Sequence, residues 1–112
     1  MVRLASKSDL LPGTLDMLIL KALTVGSMHG YGLAQRIQQF SNEVLQVEEG
    51  SLYPALQRLL VKGWVKAEWG ASENNRKARF YTLTSAGRKQ LGVEMEKFNC
   101  TIAAILRVLE TA

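Results

Sequence analysis

The stretch 48–65, EEGSLYPALQRLLVKGWV, constrains this chain more than any other. Leu52, Ala55, Leu56, Leu59 and Leu60 recur at the i, i+3, i+4, i+7, i+8 spacing of one helical face, and that face must meet a core. The opposite side holds Ser51, Tyr53, Gln57, Arg58 and Lys62, which are donors and cations with one aromatic and no carboxylate. Gly63 stops the helix and Trp64-Val65 opens an extended run. Pro54 falls just past the first turn of a helix over 49–62, where it costs one hydrogen bond or a slight bend.

Two more helices precede this one. Leu15, Leu18, Ile19, Ala22 and Leu23 mark an apolar face, and Met17 and Leu20 widen it. A helix apolar over so much of its circumference is central or shared with a partner subunit. Gly26 is read as its end, and Pro12 sits where its first turn can begin. The second helix, 31–40, is expected to turn Leu33, Ala34, Ile37 and Phe40 inward and Gln35, Arg36, Gln38 and Gln39 outward. The lone His29 reads as a turn histidine that bonds to backbone at the corner between these helices. A short strand is expected at 45–47 in the connector that follows.

After the third helix, WVKAEW alternates Val65, Ala67 and Trp69 against Lys66 and Glu68, the period of a strand. GASENN supplies turn residues, and RKARFYTL returns as a second strand. The hairpin tip carries Arg76, Lys77 and Arg79, with only Glu73 nearby. Three cations beside a donor-rich helix suit phosphate contact. Helix–turn–helix followed by a hairpin is the winged-helix plan, in which the third helix reads DNA and the hairpin is the wing.

Thr84-Ser85 caps a last helix that runs to about residue 110. Gly87 and Gly92 weaken its first turns by about 1 kcal/mol each relative to alanine. Leu91, Met95, Phe98, Ile102, Ile105 and Leu109 then step by alternate fours and threes, the a/d seam of a coiled coil. The preferred partner of that seam is a second copy of the chain, although packing on the first helix fits the same pattern. At 112 residues, 47% of them hydrophobic, the chain is one domain whose small interior gains from pairing.

The composition excludes several classes. One cysteine, Cys100, permits no intramolecular disulfide and no cysteine zinc site. One histidine without clustered carboxylates supplies neither a catalytic triad nor a metal centre, so an enzyme is not expected. No apolar run approaches the ~20 residues of a membrane span, and a cytoplasmic setting without cofactors is the expectation. The net charge of +4 is compatible with a polyanionic partner.

The segments LLPGTLDMLILKAL, HGYGLAQRI, EEGSLYPALQRLLVKGWV and RFYTLTSAGRKQL together resemble the PadR family of bacterial transcriptional regulators, over residues 10–91. HGY at 29–31, LYPAL at 52–56 and YTLTSAG at 81–87 are the most specific parts, through their order and spacing. The resemblance implies a mainly α fold with a small β-hairpin: an arm over 1–11, a winged helix–turn–helix domain over 12–83 and a dimerisation helix over 84–112. It implies a homodimer that represses from a palindromic operator in double-stranded DNA. Ser51, Tyr53, Gln57 and Arg58 would face the groove or its phosphates, and Arg76, Lys77 and Arg79 would form the basic wing. The single terminal helix resembles the smaller subgroup, some of whose members bind flat drugs beside an aromatic on this helix. Here the aromatic on that helix is Phe98, with Met95 on the same seam, and the helix has no tryptophan. The rival reading is an adaptor that keeps the scaffold and binds a protein partner instead of DNA.

Overall fold

The computed structural model describes residues 13–111; the arm expected over 1–11 and Pro12 lie outside the described residues. The elements are α1 (Thr14–Ala22), a 3-10 turn (Leu23–Val25), β1 (Met28–His29), α2 (Gly30–Phe40), α3 (Glu49–Val61), β2 (Val65–Ala71), β3 (Lys77–Leu83) and α4 (Ser85–Leu109). The fold is mainly helical, with a three-stranded antiparallel sheet in the order β1-β3-β2.

Helix α1 is central, as its broad apolar surface demands. Ile19 and Leu20 are fully buried, and α2, α3 and α4 all pack on α1. From α3, Leu52, Ala55, Leu56 and Leu59 complete the core, with Leu33 and Ile37 from α2 and Val65 and Tyr81 from the sheet. The large aliphatic side chains among these each contribute roughly 1.5–3 kcal/mol, and that burial holds the short helices together.

Several expectations need correction. Residues 45–47 form no strand; the third strand is Met28–His29, paired with Tyr81 and Phe80 of β3. Two residues are too few for an alternating pattern to reveal, and this strand exists only because β3 offers a free edge. Phe40 is 61% exposed, because the last turn of α2 runs past the core. Gly26 does end the helical run as expected: α1 stops at Ala22, a 3-10 turn over Leu23–Val25 continues it, and Gly26 at φ 139° is the cap. Arg36, expected to face outward, folds back and donates from one guanidinium nitrogen to the carbonyls of Ala22 and Gly26, each at 2.9 Å. The Ala22 carbonyl belongs to the last residue of α1, where a cation also suits the helix dipole.

His29 does the work expected of it at the corner. It is the N-cap of α2, and its Nδ1 accepts from the Gly32 N–H at 3.0 Å. Its ring also meets Phe80 edge-on, with centroids 5.3 Å apart. His29→Ala removes both contacts and is expected to lower unfolding free energy by about 1–2 kcal/mol, read from urea midpoints at constant m.

The start of α4 is tied to the end of α3. Gly63 turns the chain at φ 76°. The Thr84 hydroxyl donates to the Gly63 carbonyl at 2.8 Å and accepts from the Gly87 N–H at 3.0 Å. The Thr84 N–H donates to the Trp64 carbonyl at 3.1 Å. One residue thus caps the long helix and ties its start to the end of α3.

Candidate nucleic-acid interface

The wing extends the sheet beyond the core. On the pleated face shared by both strands, Val65 pairs with Leu83, Ala67 with Tyr81, Trp69 with Arg79 and Ala71 with Lys77. Val65 and Tyr81 are buried, but the core ends before the next pair and Trp69 is 64% exposed. The alternation placed Trp69 on the correct face; only the extent of the core left it uncovered. At the tip, Asn75 takes the left-handed conformation at φ 57°, which asparagine tolerates. The Ser72 N–H donates to the Arg76 carbonyl at 2.8 Å and closes the turn.

The overhanging face looks across a cleft of about 490 Å³ toward the first turns of α2 and α3. Tyr53 comes from α3, Tyr31 and Gln35 from α2, and Trp69, Arg76, Lys77, Arg79 and Tyr81 from the wing. Every tyrosine of the chain lines this cleft, with one carboxylate, Glu73. Lys77 Nζ lies 5.1 Å from the centre of the Trp69 ring, a cation–π contact on the cleft wall. Desolvation raises the Tyr53 phenol above its ordinary pKa near 10, and the charges of Glu49 and Tyr81 push the same way. The hydroxyl therefore stays protonated, a donor at physiological pH. Tyr53 also packs so closely on α2 that a Cβ at Gly30 would lie 2.8 Å from its ring, so it covers the helix corner as well.

The remaining expected contacts are distributed differently. Gln57 is exposed on the outer face of α3 and Ser51 is half-buried. Neither lines the cleft with Tyr53. Arg58 points back to α1, where it donates to both carboxylate oxygens of Asp16, at 2.8 and 3.4 Å. This bond raises the Arg58 pKa further, with the Asp16 charge acting the same way and partial burial opposing both. A phosphate would have to compete with Asp16 for it. Residues passed over by the sequence reading are Pro54 and Val61, both exposed. Each stands one helical turn from Gln57, so all three share the outermost face. Their apolar character disguised them, although such side chains can meet a thymine methyl.

The predicted seam of α4 divides in two. Leu91 is 5% exposed within its own chain, and Phe98 packs partly buried on the same core. Leu91 is thus corrected from a seam position to a core position, because α4 docks on α1 before it runs free. Ile102 is half-buried and Met95 is exposed. Further along, Ile105, Leu106, Val108 and Leu109 are exposed. Cys100 is exposed on the same helix. Among the described residues, no helix is long and apolar enough to cross a membrane.

A helix–turn–helix over α2 and α3, flanked by a basic hairpin and a three-stranded sheet, defines a winged helix–turn–helix protein. Residues 19–93 match the family described as the transcriptional regulator PadR-like family. The chain belongs to that family, whose members are transcriptional regulators and not enzymes. Over 85 residues it is 33% identical to an uncharacterized protein of Lysinibacillus sphaericus, covering 76% of this chain and 78% of the relative. A transcriptional regulator from Clostridium thermocellum is similar in structure, with a TM-score of 0.77 and 28% identity over 85% of this chain and 92% of the other. Bacillus subtilis PadR, solved in complex with operator DNA, matches at TM-score 0.65 and 22% identity, over 74% of this chain and 47% of the longer one.

Proposed function

We propose that this protein is a homodimeric repressor that reads a two-fold operator in double-stranded DNA. The observation that carries the reading is the convergence of Tyr53 with Arg76, Lys77 and Arg79 around one cleft, beside the exposed face of α3. Gln57 and Ser51 contact base edges, Pro54 and Val61 approach thymine methyls, and the wing cations follow phosphates toward the neighbouring minor groove. Two copies joined through the exposed half of α4 set their recognition helices about one DNA turn apart, ~34–36 Å. The regulator works in the cytoplasm, where it meets its DNA. A small-molecule effector seated against Met95 and Phe98 releases the operator to the extent that it prefers a spacing the DNA cannot accept.

The test is fluorescence anisotropy of a labelled duplex from upstream of the protein's own gene, against a scrambled duplex, at two salt concentrations. Specific, salt-sensitive binding that saturates at two chains per site is the expected result. No binding to either duplex at low salt overturns the reading and favours the protein-binding adaptor. In the same assay Lys77→Ala is expected to reduce the slope of log affinity against log salt by about 0.9, the share of one phosphate contact.

A further inference from the structure

We infer that one sugar–phosphate strand of the DNA runs through the cleft between α2 and the wing, gripped by two residues not yet given a role, Tyr31 and Trp69. The inference rests on the DNA-binding reading above. A duplex that receives α3 in its major groove and the wing in the adjacent minor groove has one strand between those grooves. That strand must cross the space separating α3 from the hairpin, which is this cleft.

The cleft's chemistry fits a backbone better than bases. Phosphate oxygens only accept hydrogen bonds, and the cleft walls chiefly donate. The Tyr31 hydroxyl accepts from Gln35 Nε2 at 3.3 Å, which leaves its own proton to point outward. The Trp69 indole N–H, a donor only, has no acceptor among the described residues. Lys77 over the Trp69 ring joins a cation and a neutral donor on one wall. Tyr31 and Trp69 are 63% and 64% exposed, so neither is held in place by a duty to the core. Two large aromatics left open beside cations offer flat surfaces to deoxyribose as well as donors to phosphate.

Tyr31→Phe and Trp69→Phe each remove a donor and keep a ring, at exposed positions outside the core. The probe is a labelled duplex selected by the wild-type protein from a random-sequence pool, with an unselected duplex alongside. Each variant is expected to bind both duplexes about tenfold more weakly, since a phosphate contact carries no sequence information. The salt slope is expected to stay at the wild-type value, because no charge has been removed. Phosphate ethylation is expected to block wild-type binding at a backbone position flanking each half-site, and Tyr31→Phe to lose that sensitivity. Wild-type affinity in both variants overturns the inference, and so does a loss confined to the selected duplex, which would mean a base contact. A wild-type protein that selects no duplex and binds none at low salt overturns the DNA-binding reading itself, and the inference with it.

Discussion

Gly87→Ala is expected to destabilise this protein by about 3 kcal/mol or more, the upper range for an overpacked site. A Cβ at position 87 would lie 1.9 Å from the Trp64 carbonyl oxygen and 2.8 Å from Leu83 Cδ1. The first of these is backbone, and it cannot retreat cheaply because the Thr84 N–H donates to it. Relief would require α4 to lift from the α3–β2 junction and give up its cap. Against a total stability of roughly 5–15 kcal/mol this is a large fraction. A fall in Tm of more than about 10 °C is the corresponding calorimetric result. Gly92 provides the control: nothing lies within 4 Å of its missing Cβ. Gly92→Ala is expected to stabilise α4 by about 1 kcal/mol, the ordinary propensity gain. Equal effects at the two glycines would show that close packing at Gly87 is not what holds the helix.

The second large effect is expected from Ile105→Asp combined with Leu109→Asp. Both residues are exposed in the single chain, at 43% and 72%, so charge there costs the monomer fold little. In the proposed dimer, two carboxylates on each copy would bring four charges into an apolar seam, where burial without partners is prohibitive. Sedimentation is expected to report monomers with unchanged helicity. Operator affinity is expected to fall by roughly 10²–10⁴-fold, since two half-sites would no longer be bound as one unit. A variant that still sediments as a dimer would place the interface elsewhere. Phe98→Asp is the wrong probe for this question, because Phe98 packs on its own core and its loss would confuse unfolding with dissociation.

Much of the architecture was legible in the sequence because it follows from periodicity. The apolar faces of α1 and α3, the alternation of β2 and the Thr84 cap are local patterns, and each appears where its residues put it. The donor-rich outer surface of α3 and the basic wing were visible for the same reason: charged and polar side chains absent from a periodic core have to face water or a partner.

What escaped a sequence reading were the quantities that depend on where the core ends and which backbones touch. Trp69 lies on the core-facing side of its strand yet stands open, because the wing outruns the helices beneath it. Leu91 and Leu109 belong to one heptad register, but α1 covers only the first. Arg36 and Arg58 looked like free cations until the Ala22 carbonyl and the Asp16 carboxylate came within reach. Gly87 and Gly92 carry the same propensity penalty, and only the Trp64 carbonyl distinguishes a required glycine from a dispensable one. Sequence by itself determined the four helices, the β2–β3 hairpin and the family, since those rest on spacing along one chain. The cleft, the division of α4 and the assignment of each cation were decided by tertiary structure, because they depend on distances between residues far apart in sequence.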